Sequence, residues 1–131
     1  MTGLLKLFAV DIEDLAVLSA HLEGATFMVN HAVYLPQQKR FAFVADRNCQ
    51  KTGNKQRVGV HFEGVVRVEH KNVALDKPDQ SLQLLALTFD PVKSPAGYVI
   101  LYCVGGERIR LEVDYIEAAL SDLADDKAEN V

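Results

Sequence analysis

The chain has 131 residues and a formal net charge of −4, with 49% hydrophobic and 24% charged residues. This length and composition predict one globular domain with one hydrophobic core. The negative charge disfavours a general affinity for nucleic acid or anionic membranes. No apolar run is long enough to cross a bilayer, and the run from Leu4 to Val10 is too short for a signal peptide. We therefore expect a cytoplasmic protein without membrane insertion.

Cysteine usage and chain organisation agree with this picture. Cys49 lies in a polar loop and Cys103 in a predicted strand, which predicts reduced thiols and no disulfide. Cys49 has cations beside it and is either a reactive thiol or, more commonly in such loops, a bystander. Without internal repeats, we expect one globular domain over 1–124 and a short, acidic, disordered tail over 125–131.

The N-terminal part predicts a short strand from Leu4 to Val10 and then an amphipathic helix. Asp11 can cap this helix, and Gly24 is a natural stop after it. One helix face carries mainly apolar residues, and we expect it to pack on a sheet rather than bind a partner. This face consists of Ile12, Leu15, Ser19 and Leu22, with Leu18 beside it.

Alternating apolar and polar residues predict strands through the middle of the chain. Gly64 interrupts the alternation and predicts a bulge or bend, after which Val66 and Val68 take the inward positions. The predicted strands cover 25–35, 40–46, 57–63, 65–71 and 82–89.

The C-terminal part predicts a hairpin followed by a helix. Gly105-Gly106 suits a two-residue turn, which would place Tyr102 opposite Ile109. The core face would then carry Tyr98, Ile100, Tyr102, Ile109, Leu111 and Val113. Asp114 and Glu117 form a capping-box arrangement ahead of a helical apolar stripe. That stripe consists of Ile116, Ala119, Leu120 and Leu123.

These elements predict an α+β fold that is mainly antiparallel β. About seven strands would form a pleckstrin-homology-like barrel or a strongly curved sheet, with an N-terminal helix and a C-terminal capping helix. An open antiparallel sheet with both helices on one face is the alternative. The barrel is an analogy at the level of the fold and carries no function.

Several short runs between Leu4 and Leu123 together carry a resemblance to a known family. They are Leu5-Lys6-Leu7, the Asp11 to Leu22 helix, Tyr34-Leu35-Pro36, Arg40-Phe41, His61-Phe62-Glu63, Pro95-Ala96-Gly97, Gly105-Gly106, Ile109-Arg110-Leu111-Glu112 and Ile116-Glu117. With these runs the chain resembles an alphaproteobacterial family of proteins, domain-of-unknown-function family 2948. The resemblance implies a cytoplasmic bacterial protein and no particular activity.

Two groups of residues are candidates for a site. His61 and Glu63 share one face of a strand and could converge on a metal or a proton, with His70 or His31 as a third ligand. An exposed pair without function is the commoner arrangement, and we predict no metal. The second group could bind an anion through a polar loop, although a solvated loop is the more frequent case. It consists of Arg47, Lys51, Lys55 and Arg57, with Lys39 and Arg40 nearby.

The sequence contains no phosphate-binding glycine loop, nucleophile elbow or paired-cysteine metal motif. We therefore favour a non-enzymatic binding or adaptor module with an unidentified protein partner and no cofactor, while enzymatic activity stays open. A nucleic-acid partner is not expected, because the loop lacks aromatic residues. A homodimer through a sheet edge, or through a face carrying Leu85, Leu87 and Phe89, is a further expectation.

Overall fold

The computed structural model describes residues 4–48, 53–77 and 79–123. Within these ranges the chain forms ten strands, one α-helix and a 3₁₀ turn at Val29–His31. The elements are β1 (Lys6–Ala9), α1 (Ile12–Leu22), β2 (Thr26–Met28), β3 (Ala32–Leu35), β4 (Arg40–Asn48), β5 (Lys55–Glu63), β6 (Val65–Lys71), β7 (Ser81–Lys93), β8 (Ala96–Cys103), β9 (Arg108–Val113) and β10 (Ala118–Asp122).

All ten strands belong to one antiparallel sheet. Its order is β1-β10-β5-β4-β2-β7-β8-β9-β6, and β3 pairs with β4 beside this path. The end strands β1 and β6 do not pair with each other, so the sheet is not closed. The predicted seven-stranded pleckstrin-homology-like barrel is therefore wrong, whereas the predicted antiparallel pairing is confirmed.

The hydrophobic core lies between the two halves of the bent sheet. Alternate residues of β4 and β5 meet those of β7, β8 and β9 in one buried cluster. Helix α1 adds Leu15, Leu18 and Leu22 to this cluster, as its apolar face predicts, while Ile12 stays 54% exposed. The predicted cap is present, because the Asp11 carboxylate accepts the Asp14 N–H at 2.8 Å. None of the helices in the described ranges is long and apolar enough to span a membrane.

The β8–β9 hairpin has a different register from the predicted one. The Gly106 N–H donates to the Cys103 carbonyl, and Gly106 has a φ of +90°, so the turn contains one more residue than expected. Tyr102 consequently pairs with Arg108 rather than Ile109. Because a slip of one residue exchanges the two faces of a strand, the buried residues of β8 are Val99, Leu101 and Cys103 rather than Tyr98, Ile100 and Tyr102.

The predicted C-terminal helix does not form. Residues 118–122 are instead β10, which pairs with β1 on one side and β5 on the other. Both β-faces of this strand are covered, since Ala118, Ala119 and Leu120 are all at most 4% exposed. A helical stripe would bury one side of the segment, whereas the position between β1 and β5 buries both sides and satisfies its backbone groups from two neighbours.

Two irregularities redirect side chains between the faces of the sheet. Gly64 joins β5 to β6 with a φ of +69°, in agreement with the predicted bend. A register shift after Val65 then turns Val66 outward, where 39% of it is exposed, so its predicted inward position is wrong. In β7 a shift between Leu84 and Ala86 brings Leu87 into the core and leaves Leu85 exposed, so the predicted face of Leu85, Leu87 and Phe89 is not continuous.

Candidate binding face

Strand β5 presents most of the residues singled out from the sequence on one side of the sheet. Its buried residues Val58, Val60 and Phe62 alternate with residues that point away from the core. We call the side of β3, β4, β5, β10 and β1 that faces away from the core the outer face. The outer-face residues of β5 are Lys55, Arg57, Gly59, His61 and Glu63.

A straight row of side chains crosses the outer face through His61. The register aligns it with Ala42 and Val33 on one side and with Ala119 and Phe8 on the other. The row crosses five strands and is therefore roughly 19 Å long. Phe8 is 74% exposed and Val33 is 47% exposed, so large apolar groups stand at the two ends and small alanines flank the imidazole.

His61 belongs to a short chain of polar contacts. Its Nδ1 lies 2.7 Å from Glu63 Oε2, and the same oxygen accepts a hydrogen bond from Arg40 Nε at 2.8 Å. An ionised carboxylate only accepts hydrogen bonds, so Nδ1 carries a proton and Nε2 faces outward. His61 Nε2 has no partner within residues 4–48, 53–77 and 79–123, and it can donate to or accept from a ligand.

The other two histidines suggested as ligands lie elsewhere. His70 is on β6 opposite Ile109 and lines a small apolar cleft of about 130 Å³, while His31 is exposed on the 3₁₀ turn. In the part of the chain that the structure describes, no three His, Cys, Asp or Glu side chains converge as metal ligands would. Only His61 and Glu63 of this predicted group come together.

Arg47 of the predicted anion-binding group takes part in a largely buried ion pair. Its Nη2 and Nε donate to the two carboxylate oxygens of Asp122 at 2.9 and 3.1 Å. The Leu5 N–H also donates to this carboxylate at 3.0 Å. Only 12% of the Arg47 side chain and 5% of the Asp122 side chain are exposed. Arg47 thus ties β4 to β10 and the chain entering β1, and its charge is neutralised there.

The remaining members of that group differ in position. Lys55 is exposed and pairs across the strands with Asn48, and Arg57 forms an exposed ion pair of 3.5 Å with Asp46. Lys51 and Cys49 lie outside the described residues. Two of the four predicted cations therefore share the outer face with His61 and Glu63.

The outer face is more basic than the chain as a whole. It carries four cations against two carboxylates, although the whole chain has a net charge of −4. The cations are Lys6, Arg40, Lys55 and Arg57, and the carboxylates are Asp46 and Glu63. Exposed aromatic and aliphatic side chains beside arginines make this face a candidate protein-binding surface.

Sequence reasoning missed three residues that matter for this face. Phe8 and Val33 were assigned only to strands. Alternation separates the two faces of one strand, but it does not show which strands lie side by side and share a face. Asp122 was given no role, because it lies between Leu120 and Leu123 of the predicted helical stripe. Its position as an acid within an apolar segment was the signal that could have indicated a buried cationic partner.

The family comparison agrees with the resemblance found in the sequence. A family model described as a protein of unknown function (DUF2948) matches residues 5–130. The chain belongs to this family. No curated protein and no solved structure matches the chain.

Proposed function

We propose that this DUF2948 protein is a non-enzymatic binding module whose outer face docks an acidic protein partner. The observation that carries the proposal is the row from Phe8 to Val33 through His61, set among four cations. Apolar groups at its ends supply contact area, and the cations favour a partner with carboxylates at its contact surface.

The shape of the face favours a protein over a small ligand. The face is a broad sheet surface with small residues Ala42, Gly59 and Ala119 at its centre, whereas sites for small molecules are concave. Lys55 and Arg57 extend the basic character along β5 beyond the apolar row. Because these charges are exposed, we expect them to act mainly on association rate and salt dependence.

A charge-reversal experiment tests this proposal. Two double variants and the wild type serve as baits in native lysate. The outer-face variant is Lys55→Glu/Arg57→Glu. The control is Lys71→Glu/Lys93→Glu, which changes two exposed lysines on β6 and β7. Interactors identified by mass spectrometry are then titrated against the purified baits. We expect an acidic protein that binds the wild type and the control, with at least tenfold weaker binding to the outer-face variant and with binding that weakens in high salt.

Three results would overturn the proposal. These are a partner retained equally by both variants, a partner lost equally from both, and binding that does not change with salt. Thermal unfolding of each variant provides the folding control. His61→Ala adds a milder test, since it removes the imidazole at the centre of the row and leaves both charge pairs in place.

The 2.7 Å contact between His61 and Glu63 favours a second candidate, a small enzyme with His61 as general base or metal ligand. A carboxylate that orients an imidazole is common both in catalytic pairs and behind metal-bound histidines. Equilibrium dialysis with Zn²⁺ tests the metal version, with wild type, His61→Ala and His31→Ala compared. Stoichiometric uptake that only His61→Ala abolishes would support it, and no uptake by the wild type would exclude it.

A further inference from the structure

Strand β1 has one edge that no described strand covers. The Asp122 N–H donates to the Leu5 carbonyl at 2.8 Å, so in this antiparallel ladder the odd-numbered residues of β1 direct their backbone groups to β10. The backbone groups of Lys6 and Phe8 consequently point away from β10. Within the described ranges, neither residue finds a backbone hydrogen-bond partner on that side.

The residues around this edge are unusually apolar for an exposed position. Four large hydrophobic side chains within nine residues are at least half exposed, namely Leu4 (50%), Phe8 (74%), Val10 (67%) and Ile12 (54%). Exposed apolar edges are a risk for uncontrolled association, which proteins avoid unless the edge has a specific partner.

The other exposed edges of the sheet are protected. Strand β6 carries alternating charges at Arg67, Glu69 and Lys71 and has a register shift near its start. Strand β3 is followed directly by Pro36, which has no N–H to donate. Charges, bulges and proline are usual means of preventing edge pairing. Among these three strands, β1 combines free backbone groups with an apolar surface.

We propose that β1 pairs antiparallel with β1 of a second copy of this chain, about a two-fold axis at Leu7. Lys6 of each copy then lies opposite Phe8 of the other, and Leu4 lies opposite Val10. This register lets every free backbone group of Lys6 and Phe8 form a hydrogen bond across the axis. A register centred on Phe8 would need the Val10 N–H, which already donates to the Asp14 carboxylate at 3.1 Å.

The charges near β1 favour a second copy as the occupant. Lys6 is the only cation between residues 4 and 20, and the acidic residues Asp11, Glu13 and Asp14 follow the strand. Antiparallel pairing brings the basic end of each β1 beside the acidic end of the other, so the surface is complementary to itself. The Lys6 ammonium also lies over the Phe8 ring of the second copy, where a cation–π contact is favourable.

The dimer shares Lys6 and Phe8 with the outer face but can be tested without the proposed acidic partner. A two-fold axis perpendicular to the sheet leaves both outer faces on the same side, so pairing joins them into one surface and does not cover Lys55 or Arg57. The mass of the purified protein alone measures the dimer, so its failure and the failure of partner binding are distinguishable.

Sedimentation equilibrium of the full chain tests the dimer. We compare the wild type with Phe8→Glu and with the control Val92→Glu, which changes a 69% exposed residue of β7. We expect a reversible dimer for the wild type and the control, and a monomer for Phe8→Glu with an unchanged far-UV circular dichroism spectrum. A monomeric wild type at every concentration, or a dimer that persists in Phe8→Glu, would overturn the inference.

Cross-linking tests the register and does not depend on the folding of Phe8→Glu. Lys6→Cys and Phe8→Cys proteins, both with Cys49→Ser, are mixed and oxidised. Directly opposite residues of paired strands are close enough for a disulfide. We expect disulfide heterodimers in large excess over those formed when Val92→Cys replaces Phe8→Cys. Equal yields in the two mixtures would exclude this pairing.

Discussion

At the scale of single residues, the surroundings of Gly64 and Cys103 restrict the size or the charge of the residue at each position. Gly64 is buried with a φ of +69°, and a Cβ built on it would lie 2.9 Å from the Tyr115 ring. Cys103 is 4% exposed at the end of β8. Burial and the nearby Glu107 carboxylate raise the pKa of its thiol to about 11.

We predict that Gly64→Ala destabilises the protein more than Gly53→Ala. Both glycines have positive φ, so alanine is strained at both positions, but nothing lies within 4 Å of a Cβ at Gly53. The additional contact with Tyr115 should cost about 1 kcal/mol, the low end for overpacking, because this ring is 42% exposed and can shift in part. Urea unfolding of the two variants measures the difference. Equal losses would mean that the Tyr115 ring moves aside at little cost.

We predict that stability falls between pH 9 and 11 through Cys103. The unfolded thiol ionises near pH 9, whereas the folded thiol holds its proton to about pH 11. Ionisation in this window therefore favours the unfolded state, and the stabilisation present below pH 9 is lost as the pH rises through the folded pKa. Denaturant unfolding from pH 8 to 11 should show a steeper decline for the wild type than for Cys103→Ala. Parallel declines would contradict the assignment.

At the scale of elements, β10 holds the N-terminal part of the sheet together. It separates β1 from β5, and its last residue, Asp122, binds both Arg47 of β4 and the backbone of Leu5. A bidentate guanidinium–carboxylate pair in a buried place is satisfied only while both partners are present.

We predict that Arg47→Ala lowers the free energy of unfolding by about 3–5 kcal/mol, because it leaves the Asp122 carboxylate buried and unpaired. Arg67→Ala is the matched control. Its cross-strand pair with Glu112 spans 3.1 Å but is exposed, so the expected loss is below about 1 kcal/mol. Chemical denaturation of both variants gives the comparison. Similar losses would show that Arg47 contributes no more than a surface ion pair.

At the scale of the whole molecule, the open sheet has strands with two neighbours and strands with one. β10 and β5 each have a strand on both sides, whereas β1, β3 and β6 each have one neighbouring strand within the chain. In the proposed dimer the free edge of β1 is paired, so local opening should begin at β3 and β6.

We predict that amide hydrogen exchange is slowest in β5 and β10 and fastest in β3 and β6. Amides bonded between two neighbouring strands exchange only through large openings, while those of a strand with one neighbour exchange through local ones. Exchange measured by NMR or mass spectrometry at neutral pH tests this order. Rapid exchange in β10 would contradict its position between β1 and β5.

Local sequence patterns determined several parts of this protein. Alternation in β5 placed Val58, Val60 and Phe62 in the core and aligned Arg57, Gly59, His61 and Glu63 on the opposite side. Helix α1 followed from its Asp11 cap and apolar face, and the break at Gly64 followed from glycine's access to positive φ. These features depend on residues a few positions apart, which interact in the same way in most folds.

The tertiary structure alone decided β10, the β8–β9 register, the pairing of Arg47 and the row from Phe8 to Val33. The segment 114–123 has a helical pattern, but residues 118–122 pair with β1 and β5, and side chains on both sides of the strand are buried there. One additional residue in the Gly106 turn exchanged the faces of β8. Arg47 and Asp122 are 75 residues apart, so no local pattern could pair them. At these positions contacts between distant segments outweighed the local conformational preferences. The fold therefore differs there from the one predicted from the sequence.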